Sequence, residues 1–90
     1  MNVELVLGQL EADKLTKNTL VEQVRDINNS NLSKGERIGR LQLLRQETTF
    51  NYSSARACSL LLELESAPGA TLYHTQIQSL SEFYKERFTQ

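Results

Sequence analysis

The chain has 90 residues and a formal net charge of −1, with 39% hydrophobic and 23% charged residues. This composition is typical of a globular protein and unlike a collagen-like or strongly charged disordered chain. We therefore expect residues 1–90 to form a single domain, and a domain of this size buries only about 60–65% of the surface that its unfolded chain exposes. Chains of this size often gain stability by pairing with themselves or a partner.

The first third of the chain carries two short helical patterns separated by a polar stretch. Apolar residues recur at the helical positions i, i+3, i+4 and i+7: Val3, Val6, Leu7 and Leu10. Residues 11–18 are mostly polar, so the first helix either ends there or continues as a solvated turn. Thr19 and Glu22 then match the capping box that begins a helix. If the first helix ends, a second short helix begins at this point. In either case a second short apolar stripe follows, made of Leu20, Val24 and Ile27.

The strongest helical pattern follows a turn-forming cluster at residues 28–31. Ser33 and Glu36 form a second capping box. The helix that they open has its apolar residues on one face, widened by Leu43: Ile38, Leu41 and Leu44.

Residues 48–54 are rich in residue types that lower helix propensity. Asn51 or Ser53 could cap a new helix in this segment. The apolar register nevertheless continues across it, so the sequence leaves two interpretations open: two helices, or one long central helix from 33 to about 66.

The clearest helix break is Pro68–Gly69, because proline cannot continue a helix and glycine allows a positive φ. Thr71 is placed to cap a last helix. We expect an αα-hairpin made of helices near 54–66 and 71–88. Strand patterns are sparse. The sequence therefore predicts an all-α fold, a small bundle of four to five helices.

Groups that could carry catalysis are few. Cys58 is the only cysteine and His74 the only histidine. One thiol and one imidazole cannot make a structural zinc site, and no phosphate-binding glycine motif is present. A dyad of the two is conceivable across the hairpin, but cysteine among alanines and leucines acts as a small hydrophobe. We expect no enzyme, no cofactor, no metal and no small-molecule substrate.

The expected location is the cytoplasm. A lone cysteine excludes an intrachain disulfide, which favours a reducing compartment. Residues 1–7 carry Glu4 and no basic side chain, unlike a secretory signal. The longest run of large apolar residues is 60–62, far short of the ~20 needed to cross a bilayer. We expect no membrane contact.

Residues 33–58 are the basic part of the chain, with five basic and two acidic side chains and a net charge of +3. Four of the basic residues lie on the predicted helix: Lys34, Arg37, Arg40 and Arg45. We expect the first three to follow one side of it, away from Leu41 and Leu44. A nucleic-acid-binding regulator is therefore the alternative function, with the turn at 28–33 and this helix acting as a helix-turn-helix.

Residues 41–64 hold more large apolar side chains than one helix pair covers. We therefore expect a regulatory or adaptor protein that binds a protein partner or forms a homodimer through apolar helix faces, with arginines guiding orientation and association rate. The expected partner-binding residues combine both types: Leu41, Leu44, Tyr52, Leu62, Arg37, Arg40 and Arg45.

Overall fold

The computed structural model describes residues 2–50 and 52–88, and over these residues the fold is all-α, with no strand. This confirms the predicted class. No helix among the described residues is long and apolar enough to cross a membrane. The described part of the chain contains four α-helices and one short 3-10 helix, in chain order: α1 Val3–Asn28, α2 Lys34–Glu47, α3 Ser54–Glu65, the 3-10 helix Ala70–Tyr73, and α4 His74–Phe88.

α1 is a single helix of 26 residues, so of the two alternatives for residues 11–18 the helix continues, and no second helix begins at Thr19. The Thr19 hydroxyl does not cap a new helix. It donates to the Leu15 carbonyl oxygen one turn earlier, at 2.9 Å. The stretch 11–18 contains neither glycine nor proline, so it holds no residue type that stops a helix. A capping-box pattern therefore has no effect where nothing stops the preceding helix.

The central region forms two helices, and the alternative of one long helix is wrong. The Ser33 side chain accepts a hydrogen bond from the Glu36 backbone N–H at 3.3 Å and begins α2. The Ser53 side chain does the same for Arg56 at 3.1 Å and begins α3. Asn51, the other predicted cap, lies outside the described residues. Residues 48–50, 52 and 53 lie between the helices, as their low helix propensity favours.

The predicted αα-hairpin across the Pro68–Gly69 break is present as α3 and α4. Gly69 has φ of +83°, in the left-handed region that glycine enters without steric cost. Thr71 does not cap the last helix, because it lies inside the 3-10 turn that precedes α4. There its carbonyl oxygen accepts from the His74 backbone N–H.

Contacts divide the chain into two compact units. We call residues 1–14 and 51–90 the bundle unit and residues 15–50 the hairpin unit. The bundle unit contains the hydrophobic core, built from the start of α1, from α3 and from α4. Its largest fully buried apolar side chains are Leu7, Leu10, Leu61, Leu64, Leu80 and Tyr84.

The hairpin unit consists of the end of α1, the turn after it, α2 and the segment up to Phe50. No residue from 15 to 50 is buried. Six large apolar side chains are only half-buried: Leu20, Val24, Ile27, Leu32, Leu41 and Leu44. Five more are exposed: Leu15, Val21, Ile38, Leu43 and Phe50. The Lys17 ammonium lies 4.2 Å from the Phe50 ring centre, a cation–π contact between the two ends of the unit.

A candidate protein-binding surface

The hairpin unit contains a shallow groove between the end of α1 and the end of α2. Its volume is about 290 Å³. α1 contributes one wall, with Gln23, Asp26 and Ile27. α2 contributes the other wall, a stripe of four residues: Arg40, Leu43, Leu44 and Glu47. We call this surface the α1/α2 groove.

The floor of the α1/α2 groove is apolar and its edges are charged. Ile27 and Leu44 are half-buried, while Leu43 keeps 53% of its surface exposed. Asp26, Arg40 and Glu47 are all exposed, so the groove carries charges of both signs. Exposed charges around an apolar centre are typical of protein-binding surfaces, where the centre supplies energy and the rim supplies orientation.

We expected Lys34, Arg37 and Arg40 to follow one side of α2, away from its leucines. The structure differs from this expectation. Arg40 lines the groove beside Leu44. Arg37 is half-buried, and its Nε atom is buried without a hydrogen-bond partner within residues 2–50 and 52–88. Arg45 follows Arg40 by five residues, which places it about 140° further round the helix. Lys34 and Arg45 are both exposed.

The expected partner-binding residues fall into both units. Leu41, Leu44 and the three arginines belong to the hairpin unit, and Tyr52 and Leu62 belong to the bundle unit. Leu62 is 62% exposed on α3. Tyr52 is half-buried, its hydroxyl donates to the Gln9 side-chain oxygen, and its backbone N–H donates to Asp13 Oδ1 at 3.4 Å. Tyr52 therefore has a bonding role inside its own unit.

Asp13 is the polar residue that the sequence did not single out. It is 1% exposed, at the edge of the bundle core. The Tyr84 hydroxyl donates to Asp13 Oδ2 at 2.7 Å and lies 2.9 Å from the Leu10 carbonyl oxygen. Burial, the hydrogen bond to Asp13 and the negative charge of Asp13 raise the pKa of Tyr84 above its ordinary value. This network joins α1 to α4 through one charge-assisted hydrogen bond, to Asp13, and one contact with the Leu10 carbonyl oxygen.

The position of Asp13 in the sequence already indicates that it is buried. Asp13 follows Leu10 by three residues and so continues the apolar face of α1. An acidic residue on such a face is buried only when hydrogen-bond partners meet it. Tyr84 of α4 supplies that partner.

A second cleft, of about 360 Å³, lies in the bundle unit where α3, the 3-10 turn and α4 meet. Its lining mixes polar and apolar residues: Glu65, Ala70, Thr71, His74, Ile77 and Gln78. Cys58 packs against the core instead, half-buried, while His74 is exposed. In the part of the chain that the structure describes, no three His, Cys, Asp or Glu residues are grouped as metal ligands.

Compared with protein-family models, with curated proteins and with solved structures, the chain matches none of them.

Proposed function

We propose that the chain is a small non-enzymatic regulatory or adaptor protein of the cytoplasm, which binds other proteins, including copies of itself, through apolar helix faces. The observation that carries this proposal is that α2 buries none of its residues. The helix nevertheless holds four large apolar side chains: Ile38, Leu41, Leu43 and Leu44. The lone cysteine supports the cytoplasmic location.

The energetics favour a partner for this helix. An isolated helix of 14 residues is marginally stable in water, so it depends on packing. Full burial of one leucine contributes about 1.5–3 kcal/mol relative to leaving it exposed. Because Leu43 and Ile38 are about half-exposed, a protein that covers them gains a large part of that energy at each position. The charged residues at the edge then fix orientation and raise the association rate.

The test compares two leucine-to-glutamate variants of the full chain. Leu43 lies in the α1/α2 groove, and Leu72 is a matched control, 86% exposed in the bundle unit. Affinity purification from the native source, followed by titration of each purified partner, measures stoichiometry and dissociation constant. We expect Leu43→Glu to abolish saturable one-to-one binding and Leu72→Glu to preserve it. Circular dichroism checks that both variants keep their helices.

Two results would overturn the proposal. Equal partner binding by both variants would show that the groove has no part in recognition. Salt-sensitive binding to a DNA or RNA duplex that survives Leu43→Glu but is lost in an Arg37→Glu, Arg40→Glu double variant would favour the nucleic-acid-binding alternative instead.

A further inference from the structure

The α2 wall of the α1/α2 groove carries opposite charges at its two ends, at equal distances from its centre. Arg40, Leu43, Leu44 and Glu47 are spaced i, i+3, i+4 and i+7, and all four line the same groove. A base stands at one end, an acid stands at the other, and two leucines lie between them. Turning the helix end for end about the midpoint of Leu43 and Leu44 places Arg40 where Glu47 was.

From this arrangement we infer that the α1/α2 groove binds a second copy of the same chain, with α2 packed antiparallel on α2 of that copy. The inference rests on the proposed function and names its partner. A two-fold axis passes between Leu43 and Leu44. Arg40 of each copy then faces Glu47 of the other, and the leucines meet at the centre. Such an interface is isologous, because both copies use the same surface.

Charge complementarity selects the second copy and also its direction. The two charged ends are seven residues apart, about 10.5 Å along the axis. In a parallel pair, Arg40 would face Arg40 and Glu47 would face Glu47. Repulsion between these like charges disfavours the parallel arrangement. In the antiparallel pair both contacts are attractive. An apolar partner without this charge order would leave Arg40 and Glu47 without oppositely charged neighbours, at the edge of an apolar contact from which water is excluded.

The available surface suits a small, reversible interface. A standard stable interface removes about 800 Å² from each partner, which is an eighth of the 6400 Å² that the chain exposes. α2 is about 21 Å long at 1.5 Å per residue, and Gln23, Asp26 and Ile27 of α1 extend the contact across the groove. We therefore expect dissociation constants in the range of about 1 µM to about 100 µM.

The experiment uses two charge reversals and their mixture, measured by sedimentation equilibrium of the full chain. Wild type forms a dimer as concentration rises. Arg40→Glu alone and Glu47→Arg alone each place like charges at both ends of the interface, so each raises the dissociation constant at least about tenfold. Mixing the two variants restores attraction at both ends, and native mass spectrometry shows the heterodimer. Arg56→Glu, which makes the same charge change at an exposed position of α3 outside the α1/α2 groove, keeps the wild-type dimer.

Three outcomes overturn the inference: a wild-type chain that stays monomeric over the whole concentration range, a dimer that neither reversal weakens, and weakened variants that fail to form a heterodimer. A monomeric wild type that still loses another protein partner on Leu43→Glu overturns only the second copy, and the proposed function stands. The mixing pattern supports the inference whether or not any other protein binds. Arg40, Glu47 and Arg56 are exposed, so we expect all the variants to fold. Circular dichroism of each variant checks this.

Discussion

The bundle unit and the hairpin unit are both helical, yet they differ in what their apolar residues do. The bundle unit buries leucines from α1, α3 and α4 around Tyr84. The hairpin unit has a comparable supply of leucine, isoleucine and valine and buries none of it. The difference lies in the number of helices: three can enclose a core, whereas two cover only one face of each other. Apolar residues therefore form the core of one unit, whereas in the other they stay partly or fully exposed and support the proposed protein binding.

The largest expected effect contrasts a leucine from each unit. Leu80 is 0% exposed in the bundle core, so Leu80→Ala should lower the free energy of unfolding by about 2–5 kcal/mol. Leu43→Ala, in the hairpin unit, should cost well under about 1 kcal/mol in a dilute sample, because little buried surface is lost. Urea unfolding followed by circular dichroism measures both. Similar costs for the two variants would mean that the hairpin unit has a core of its own.

The bundle unit also contains a buried polar contact, the hydrogen bond between Tyr84 and Asp13. Removing it should have the next largest effect on the free energy of unfolding. Tyr84→Phe takes away the hydroxyl that donates to Asp13 and leaves a buried carboxylate with one partner fewer. Hydrogen bonds to charged groups contribute about 1.5–3 kcal/mol, and we expect a loss of that size. Tyr73→Phe is the control, since Tyr73 is half-buried and packs at the edge of the core. If Tyr73→Phe cost as much as Tyr84→Phe, the network would have no special weight.

The same hydroxyl predicts how stability responds to alkaline pH. The pKa of Tyr84 lies above its ordinary value of 10.0 because of burial, then the hydrogen bond and charge of Asp13 and the charge of Glu11, with Arg87 acting in the opposite direction. Above about pH 10, the unfolded chain releases this proton and the folded chain keeps it. Stability should therefore fall by up to about 1.4 kcal/mol per pH unit through this group alone.

Comparing wild type with Tyr84→Phe isolates that contribution from the lysines and the other tyrosines. The stability difference between them should shrink as pH rises above about 10, the unperturbed pKa of tyrosine, and it should be constant between neutral pH and that point. Urea midpoints measured across this range provide the test. A difference that stayed constant into the alkaline range would contradict a raised pKa of Tyr84.

Local chemistry explains which features of the fold could be predicted from the sequence. Ser33, Ser53 and Gly69 act within a few residues of themselves, through a capping bond or a permitted φ, and all three predictions were confirmed. The prediction for Thr71 was wrong and the capping-box pattern at Thr19 begins no helix, because a capping residue acts only where the preceding helix has ended and the next one begins directly.

Predictions that needed distant contacts were harder. The burial of Asp13 depends on Tyr84, 71 residues further along the chain, and no local pattern supplies that partner. Arg40 and Leu44 were predicted as partner-binding residues, but Asp26 and Ile27, across the groove, were not. Only the folded hairpin unit brings the end of α1 beside α2. The reversed charge order of α2 was nevertheless present in the sequence, at a spacing that helical geometry already places on one face.

The smallest expected effect concerns two glycines, one in each unit. Gly8 in α1 and Gly39 in α2 have nothing within 4 Å of an added Cβ atom, so alanine fits at both and should stabilise its helix by about 0.5–1 kcal/mol. Gly8→Ala lies in the bundle unit and should raise the urea midpoint of the whole transition. Gly39→Ala should mainly slow amide hydrogen exchange in α2, because a unit without a core opens locally before the chain unfolds. A rise in the global midpoint with Gly39→Ala equal to that with Gly8→Ala would show that the two units unfold together, and that α2 owes its order to the rest of the chain rather than to a partner.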